Sequence, residues 1–376
     1  MKALITALIF HLTLNPLLYL KGRNVLKPYK TASYIWTSLF VLELLMYVVA
    51  FLFYRSLPSS FVHFARVFGG SWMLMVIYSS SLILIADLVY LIIKRQLFRP
   101  KLLLRQFQVT KIIIFSVTLS IVVSALIYGR HHFRNPTVNH VEINIAKDGG
   151  QYDKIRIVMA GDLHLGYTIN KYEAQRMVDF INVQNPDIIL LVGDIIDASL
   201  EPLIEQDMGS ILRQLKAPLG VYACPGNHEY RKEGESKIEY LNKSGITMLM
   251  DSAVLVDSSF YVVGREDWII QDRLSTEQLL NKYNVDKNKP IFLLNHSPYD
   301  LNEDAKANVD IALYGHTHHG QVFPGNLATS LKFEVAHGYK KKSNTNVYVT
   351  SGLALAGPQH RIATVSEVVV LEVGME

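Results

Sequence analysis

The sequence predicts an N-terminal all-α transmembrane bundle of about four helices, followed by an α/β domain arranged as a mixed β-sandwich flanked by helices. Half of the 376 residues are apolar and the mean hydropathy is +0.19, which is high for a soluble enzyme. Long apolar stretches fill the first third of the chain, whereas short apolar segments alternate with helical segments from about residue 153. We therefore assign 1–130 to a transmembrane helical region, 131–152 to a linker and 153–376 to the α/β domain.

Four apolar stretches are long enough to cross a bilayer as helices. They cover residues 3–20, 34–54, 71–93 and 112–129. A helix needs about 20 residues to cross about 30 Å of hydrocarbon, and a helix of a soluble protein rarely stays apolar on every side for that length. The first stretch has no clear small-residue cleavage site, so we interpret it as a retained helix rather than a cleaved signal peptide. The chain is thus predicted to be a multi-pass integral membrane protein.

The distribution of charge predicts how the bundle is oriented. Residues 1–129 contain 13 basic and two acidic residues, whereas residues 130–376 contain 24 basic and 31 acidic residues. The loops 21–33 and 94–111 are strongly basic, and the loop 55–70 between them carries only two arginines. Because basic loops stay in the cytoplasm, the second half of the chain is expected to be extracytoplasmic. Its acidic balance also argues against a nucleic-acid partner, which needs a basic surface.

Two acidic residues, Glu43 and Asp87, lie inside predicted spans. A charge at membrane depth is costly, so it is usually paired or functional. A proton or ion pathway is one interpretation, and a packed polar contact is the other. Two isolated acids do not form a relay, so the second interpretation is favoured.

In the second half, five short apolar segments each run directly into a polar cluster. The segments are 155–160, 188–192, 219–223, 291–294 and 311–314. Residues 172–184 and 202–215 have helical spacing, and 253–256 and 261–263 read as two further strands. Continuous apolar strands separated by helices indicate a sheet buried on both faces. The polar residues that follow such strands gather at one edge of the sheet.

Seven polar side chains after these strands are candidate metal ligands. They are Asp162, His164, Asp194, Asn227, His296, His316 and His318. Oxygen and imidazole ligands without a thiolate suit borderline divalent metals such as manganese, iron, zinc or cobalt. Seven ligands exceed one four-coordinate site and fit two metals about 3.5–4 Å apart, which can activate water and hold both oxygens of an in-line displacement at phosphorus.

The same residues belong to five motifs that occur in a fixed order along the chain. The motifs are GDLH (161–164), GDIID (193–197), GNHE (226–229), NH (295–296) and GHTH (315–318). Together they resemble the calcineurin-like metallophosphoesterases, and the resemblance covers about residues 153–373. With the apolar spans in front, the chain resembles the transmembrane proteins that carry a metallophosphoesterase domain.

The resemblance implies a role for each residue of the site. Asp162, His164 and His318 would bind one metal, Asn227, His296 and His316 would bind the other, and Asp194 would bridge them. His228 would act as the acid toward the leaving or non-bridging oxygen. Asp197 would orient and charge His228, because a carboxylate behind an imidazole fixes its tautomer and raises its pKa.

The predicted function is that of a membrane-anchored dinuclear-metal phosphohydrolase that cleaves a phosphodiester, pyrophosphate or phosphomonoester with metal-activated water. The expected cofactors are two divalent ions, manganese first, with iron, zinc or cobalt as alternatives. One alternative function is a non-catalytic metal-binding scaffold or sensor on the same fold, and another is a transporter with an attached phosphoesterase. The intact ligand set together with His228 and Asp197 favours the enzyme, because a scaffold has no need of an acid.

Three further positions bear on the substrate. Ala198 stands where related protein phosphatases carry an arginine, which disfavours a phosphoprotein. His319 replaces a second glycine that is usual in the family and could contact substrate, a solvated side chain being the alternative. Arg361 could clamp a phosphate through its planar donors. The predicted partners are a phosphorylated small-molecule or lipid substrate and the bilayer, and no protein partner is predicted.

Overall fold

A computed structural model of the chain describes residues 10–95 and 107–376. The chain divides into two compact units. One comprises Met1–Arg130 with Gly357–Gln359, and the other comprises His131–Ala356 with His360–Glu376.

The described part of the first unit is helical. Its helices are α1 (Leu14–Leu26), α2 (Lys30–Phe53), α3 (Ser59–Arg95) and α4 (Phe107–Arg134), the last of which continues into the second unit. Three of them are long and apolar enough to cross a membrane, over Lys30–Ala50, Ser59–Ile92 and Val109–Arg134. These helices confirm three of the predicted spans. The remaining predicted span, 3–20, begins outside the described residues, and α1 covers its end.

The helices extend further than the apolar stretches that predicted them. Helix α3 begins directly after Pro58, so most of the predicted loop 55–70 is helical. Proline has no backbone N–H and is well placed at the start of a helix, where that donor lacks an intrahelical partner. The predicted span began too late, at residue 71, because polar residues can continue a helix beyond the hydrocarbon.

Both acidic residues of the first unit have polar partners. The side-chain amide of Asn15 donates to the buried carboxylate of Glu43 at 3.2 Å, and the Trp72 indole N–H donates to the side-chain oxygen of Asn15 at 3.1 Å. Lys21 forms an ion pair with Asp87. These contacts support the interpretation of Glu43 and Asp87 as packed polar groups.

The second unit contains twelve strands and seven helices. The strands are β1 (Thr137–Ile145), β2 (Lys154–Ala160), β3 (Ile188–Val192), β4 (Val221–Cys224), β5 (Thr247–Met248), β6 (Ser252–Val256), β7 (Phe260–Gly264), β8 (Ile291–Leu294), β9 (Ile311–Tyr314), β10 (Gly338–Lys342), β11 (Thr345–Val349) and β12 (Glu367–Met375). The helices are α5 (Lys171–Asn182), α6 (Glu201–Glu205), α7 (Met208–Leu212), α8 (Gly234–Lys243), α9 (Thr276–Lys282), α10 (Leu301–Lys306) and α11 (Gly325–Lys332).

The strands form two mixed sheets of six strands each. The first sheet has the order β1-β12-β2-β3-β4-β5, and the second has the order β10-β11-β9-β8-β7-β6. Within them, β2 to β5 run parallel, as do β7, β8, β9 and β11. The predicted mixed β-sandwich with flanking helices is confirmed.

The main core lies between the two sheets. Side chains such as Met159 and Leu190 of the first sheet belong to the same buried cluster as Phe292 and Leu313 of the second. Two further clusters cover the outer faces, one beneath α5 to α8 and the other beneath α9 and α10. Because both faces of each central strand are buried, those strands are apolar without alternation, which is why 188–192, 291–294 and 311–314 were predicted with the bounds that the structure shows.

A strand lies inside the predicted linker 131–152. Strand β1 pairs in parallel with β12 along its whole length at the edge of the first sheet. Polar residues occupy most of its exposed positions, and only Ile143 and Ile145 are fully buried. An edge strand of this kind has no continuous apolar segment, so the sequence pattern did not reveal it.

The predicted helix 202–215 is interrupted. Helix α6 ends at Glu205 and α7 begins at Met208, and Asp207 between them has a left-handed backbone with φ of 49°. A left-handed residue cannot continue a right-handed helix. The apolar spacing survives the break because both short helices bury the same face.

Candidate metal centre

Five strands end at one edge of the sandwich, where the candidate ligands meet. Asp162 and His164 follow β2, Asp194 follows β3, and Asn227 and His228 follow β4. His296 follows β8 and His316 follows β9. Backbone hydrogen bonds join neighbouring strand ends, as in the bond from Gly315 N–H to the His296 carbonyl at 2.9 Å. The structure therefore brings together residues that lie up to 156 positions apart, from 162 to 318.

One group of possible ligand atoms is formed by Asp162, His164 and His318. The Nε2 atoms of the two histidines are 3.1 Å apart. The Asp162 Oδ1 atom lies 3.3 Å from His318 Nε2 and 3.7 Å from His164 Nε2. Two imidazole nitrogens and a carboxylate oxygen that face one point are the ligand set expected for a borderline divalent cation.

Asp194 lies at the centre of the cluster. Its Oδ2 atom is 3.6 Å from His164 Nε2, 3.3 Å from His296 Nε2 and 3.9 Å from His228 Nε2. It joins two further groups of possible ligand atoms, one with His164 and His228 and the other with Asp162 and His296. The Asp194 carboxylate therefore lies close to His164 on one side and to His296 on the other.

His296 is held in one orientation by the backbone. Its Nδ1 atom lies 2.7 Å from the Val192 carbonyl oxygen, which only an N–H can approach as a donor. The Nε2 atom is then the nitrogen that faces the cluster, 3.3 Å from Asp194 Oδ2, and it is buried without a hydrogen-bond partner. An imidazole with one nitrogen bonded to a carbonyl and the other free is the usual arrangement of a metal-ligating histidine.

Asn227 and His316 lie at the opening of the cluster. The Asn227 side-chain oxygen is 2.9 Å from His316 Nδ1, and the Tyr299 hydroxyl is 3.3 Å from His316 Nε2. His316 also packs against the ring of His296, with ring centroids 5.2 Å apart. The structure thus places all seven predicted ligands in one cluster.

Five of these ligands have a left-handed backbone. They are Asp162, His164, Asp194, His316 and His318, with φ between 45° and 70°. Such conformations cost of order 1–3 kcal/mol each and persist only where the surrounding structure enforces them. Asp162 N–H donates to the Gly193 carbonyl at 3.0 Å, and His164 N–H donates to the Asp194 carbonyl at 2.9 Å. These bonds fix the ligand loops before any cation binds.

Gly193 shows why a glycine precedes Asp194. Its φ is +79°, and a Cβ atom at this position would lie 2.7 Å from both the Gly226 backbone nitrogen and His296 Nδ1. A side chain would therefore clash with the GNHE loop and with the orienting nitrogen of a ligand. The strands β3, β4 and β8 can approach this closely only because residue 193 is glycine.

Glu229 connects the loops that follow β3 and β4. Its buried carboxylate accepts hydrogen bonds from the backbone N–H groups of Asp194 at 3.0 Å, Ile196 at 2.9 Å and Gly226 at 2.7 Å. The motif GNHE contains this residue, but no pattern in the sequence assigns it a role. The charge of a carboxylate suits three N–H donors, so Glu229 holds Asp194 and His228 in register.

Burial and the neighbouring carboxylates shift the pKa values of the histidines in opposite directions. Burial lowers the pKa of His318 to about 3 and that of His316 to about 4, so both imidazoles are neutral at neutral pH. At His164, the effect of burial is outweighed by the nearby carboxylates of Asp162, Asp197 and Asp194, which raise its pKa to about 10. A divalent cation competes with this proton for the same carboxylates.

The residues present fit a pair of divalent cations. Buried His296 Nε2 has no hydrogen-bond partner, and an unpaired buried polar atom is costly unless a ligand satisfies it. Asp162 and Asp194 are almost fully buried, so their charges need a counter-ion. The donor set and its orientation match borderline divalent metals.

His228 and Asp197 form the predicted pair. The Asp197 Oδ1 atom and the Asp197 backbone oxygen each lie 2.9 Å from His228 Nδ1. Burial alone would raise the pKa of Asp197, but the neighbouring histidines His164 and His228 hold it well below its ordinary value. Asp197 is thus an anion that fixes the His228 ring, with Nε2 turned toward Asp194.

His319 lies beside the cluster and does not join the ligand groups. Its ring stacks on His337 with centroids 4.7 Å apart, and His337 Nε2 lies 3.1 Å from both carboxylate oxygens of Glu367. The side chain is half-buried. A contact between His319 and substrate stays a prediction.

Arg361 requires a correction. The sequence predicts a phosphate clamp, but the structure buries the side chain completely. Its terminal nitrogens donate to the carbonyls of His318 at 2.8 Å, Ser351 at 2.6 Å and Gly352 at 3.1 Å, and also to Ala354. A clamp must reach the substrate, whereas this guanidinium connects backbone segments behind the ligands.

A buried polar network supports the other side of the cluster. Asp304 accepts hydrogen bonds from Arg265 at 3.0 Å and from Asn295 at 3.0 Å, and also from Tyr314. Asn295 directly precedes His296, and Tyr314 lies two residues before His316. The sequence did not predict this network, because its members gain meaning only from the pairing of β8 with β9.

Comparisons with known proteins agree with this geometry. Residues 155–320 match the calcineurin-like phosphoesterase family. A zebrafish protein named "transmembrane protein with metallophosphoesterase domain" is 34% identical over 252 residues, which are 62% of this chain and 56% of that protein. An uncharacterised metallophosphoesterase of Campylobacter jejuni is 30% identical over 272 residues, 69% of each chain. One from Aquifex aeolicus is 30% identical over 225 residues, 58% of this chain and 85% of that protein.

The fold and the cluster of ligands define a metal-dependent phosphoesterase domain, a class of hydrolases that act on ester bonds. The chain belongs to the calcineurin-like metallophosphoesterase family. It spans just over half the length of the zebrafish relative and about two thirds of the Campylobacter relative.

Proposed function

We propose that this chain is a membrane-anchored phosphohydrolase that uses two divalent metal ions, manganese in the first instance. The position of Asp194 supports this proposal most directly. Its Oδ2 atom lies 3.6 Å from His164 Nε2 in one half of the cluster and 3.3 Å from His296 Nε2 in the other. A carboxylate shared between two sets of imidazoles is suited to a pair of cations.

The ligands divide into two sets on this proposal. Asp162, His164 and His318 would hold one cation, Asn227, His296 and His316 the other, and Asp194 both. When bound, the pair supplies an activated water and neutralises charge at phosphorus. The left-handed backbone of the ligand loops keeps these side chains in place without reorganisation.

His228 would supply the proton that the leaving oxygen needs. In hydrolysis the oxygen of water bonds to phosphorus, the bond from phosphorus to the leaving oxygen breaks, and one proton ends on that oxygen. Asp197 fixes the His228 ring through Nδ1 at 2.9 Å, so Nε2 is the nitrogen positioned to donate. The structure holds this nitrogen on the Asp194 side of the ring, at 3.9 Å from Asp194 Oδ2.

The helices α2, α3 and α4 would anchor the enzyme in a bilayer, since each contains an apolar span of sufficient length. The relatives include proteins named as transmembrane. The basic loops 21–33 and 94–111 support an extracytoplasmic catalytic unit. A phosphodiester or pyrophosphate in or near the membrane is the substrate class that we favour.

The test is hydrolysis of bis(p-nitrophenyl) phosphate and p-nitrophenyl phosphate by the full-length protein in nanodiscs, with manganese, zinc, iron or cobalt added in turn. We expect metal-dependent turnover that Asp194→Asn and His228→Ala abolish. Glu239→Gln is the matched control, because Glu239 is an exposed acid paired with Lys243 on α8. The ratio of diester to monoester turnover identifies the substrate class.

A folded protein that binds metal and hydrolyses neither ester with any of the four metals would contradict the proposal. That result would favour the non-catalytic scaffold or sensor instead. Retention of full activity in His228→Ala would remove the acid role while leaving the metal centre in place.

A further inference from the structure

A chain of aromatic rings leads outward from the metal centre. The Tyr299 hydroxyl is 3.3 Å from His316 Nε2, and the Tyr299 ring packs against Trp268 and Phe333 with centroids 5.6 and 5.2 Å apart. Trp268 is 45% exposed and Tyr299 is 41% exposed, whereas Phe333 is buried and supports Tyr299 from behind. We name Trp268, Tyr299 and Phe333 the aromatic rim.

Two cations lie on the aromatic rim. The Arg273 guanidinium is 4.7 Å from the centre of the Trp268 ring, and the Lys332 ammonium is 5.0 Å from the centre of the Tyr299 ring. Lys332 Nζ is also 3.3 Å from the Tyr299 hydroxyl. Positive charge therefore stands one side chain away from a proposed metal ligand, where it can attract an anionic substrate.

Exposed aliphatic side chains continue the surface beyond the rings. Leu327 is 54% exposed and Leu331 is 92% exposed, and their spacing puts both on one face of α11. Ile269, next to Trp268, is 52% exposed. Exposed apolar side chains that cluster on a surface are typical of a binding site rather than of an ordinary solvated face.

Helix α11 is fixed to the turn that carries a metal ligand. Gly320 lies two residues after His318, and a Cβ atom on Gly320 would lie 2.0 Å from the Gly325 carbonyl carbon. Gly325 is the first residue of α11. The exposed leucines therefore keep a constant position relative to the ligand turn.

The geometry of the rings favours an apolar chain over a nucleobase. A base sandwiched between two rings needs their planes roughly 7 Å apart, two van der Waals separations. The rings here contact one another at centroid distances of 5.2 and 5.6 Å, and cations already cover faces of Trp268 and Tyr299. The aromatic rim thus offers a continuous surface without a slot, and aromatic rings mixed with Lys, Arg and Leu are the composition that binds lipid.

We propose that the aromatic rim and the exposed face of α11 bind the apolar chain of an amphiphilic phosphoester, with its phosphate at the metal centre. The substrate class is a phospholipid or a related lipid phosphodiester. This inference rests on the proposed function, since it names the substrate of that site.

The test uses a series of p-nitrophenyl alkyl phosphodiesters, from methyl to decyl, with the full-length protein in nanodiscs. The leaving group stays constant, so only contacts to the chain change. A buried methylene is worth about a fourfold gain in affinity, and a half-buried one about twofold. We expect kcat/KM to rise about twofold per methylene over the series.

We expect two variants to flatten this rise, Trp268→Ser and the double variant Leu327→Ser with Leu331→Ser. In each, the ratio of kcat/KM for the decyl ester to kcat/KM for the methyl ester should be at least tenfold smaller than in the wild type. Ile204→Ser is the matched control, because Ile204 is an exposed aliphatic residue of α6, at 61% exposure. It should keep the wild-type dependence on chain length.

The outcomes separate this inference from the proposed function. Turnover of bis(p-nitrophenyl) phosphate without any dependence on chain length would overturn the lipid inference and leave the phosphohydrolase intact. Better turnover of thymidine 5′-(p-nitrophenyl) phosphate than of the decyl ester, lost in Trp268→Ser, would replace the lipid by a nucleotide. No turnover of any ester would overturn both proposals.

Discussion

His228 and Asp197 separate proton transfer from metal binding. Asp197 contacts His228 Nδ1 at 2.9 Å, whereas His296 is oriented by a hydrogen bond from its Nδ1 to the Val192 carbonyl. The acid therefore depends on a carboxylate that the proposed ligands of the second cation do not share. Its loss is expected to affect the chemical step more than the metals.

We predict that His228→Ala lowers kcat by about 10²–10⁴, the usual contribution of a general acid, without changing the number of bound metals. Asp197→Asn should lower kcat less, because the imidazole remains. Steady-state kinetics with metal analysis of the same samples measures both quantities. His140→Ala, on the edge strand β1, is the control. Loss of one metal in His228→Ala would instead make His228 a ligand, as its place in a group with His164 and Asp194 permits.

Arg361 is a positioning residue in this structure. It binds the carbonyls of His318, Gly352 and Ala354, and the N–H of Ala354 in turn donates to the Asp162 carbonyl at 3.2 Å. Two ligands of the same proposed cation therefore depend on one buried guanidinium. Unlike a lysine, it can reach acceptors on both segments at once.

We predict that Arg361→Lys and Arg361→Met reduce metal content from two ions per chain to one, because the group of Asp162 and His318 loses its support. Metal analysis after dialysis measures this, and the coupled spectrum of a manganese pair should give way to that of a single ion. Arg156→Met, which removes an ion pair with Glu372 on the first sheet, is the control. Two tightly bound metals in both Arg361 variants would contradict the assignment.

The strands set the positions of the ligands, and the sequence revealed most of them. Strands β3, β8 and β9 are short apolar segments with a polar residue at the end, so both the strand and the ligand could be predicted. The edge strand β1 could not, because its polar positions face outward and its pairing with β12 is distant in sequence. The break at Asp207 depends on packing of two short helices rather than on apolar spacing.

The candidate site was predictable in composition but not in detail. The order of the motifs predicted which residues are candidate ligands. The left-handed backbone of Asp162 and His316, however, depends on hydrogen bonds between separate strand ends. The role of Glu229 and the burial of Arg361 depend on which backbone groups lie near them. Such contacts are long-range, so a pattern along the chain does not contain them.

We predict that Leu294→Ala lowers the melting temperature of the second unit. Leu294 is fully buried between the sheets at the end of β8, and removal of a buried leucine side chain costs about 2–5 kcal/mol. Thermal unfolding of the full-length protein in nanodiscs, followed by tryptophan fluorescence, measures the change. Leu255→Ala, on the exposed side of β6, should change stability little. Equal melting temperatures for wild type and Leu294→Ala would contradict the packing.

The whole chain joins an apolar helical unit to a hydrolase unit. The first unit carries the basic loops, and the second is acidic. Tethering raises the local concentration of a lipid-borne substrate around the site, which is consistent with the apolar side chains beside His316. Membrane anchoring and the lipid inference support each other without depending on the same residues.

We predict that the catalytic unit lies outside the cytoplasm. The spans over Lys30–Ala50, Ser59–Ile92 and Val109–Arg134, with the loops 21–33 and 94–111 in the cytoplasm, leave the C-terminus outside. A C-terminal epitope should therefore be accessible to an antibody or protease applied to intact cells. Replacing the basic residues of the loop 94–111 by glutamine should weaken this orientation. An epitope that becomes accessible only after the cells are permeabilised would contradict it.

The most direct measurement is the number of divalent ions bound per chain in the active full-length protein, compared with Asp194→Asn. The geometry around Asp194 predicts two ions per chain in the wild type, a magnetically coupled pair with manganese, and loss of the coupling together with turnover in Asp194→Asn. A wild-type protein that reaches full turnover with a single bound ion would contradict a dinuclear site.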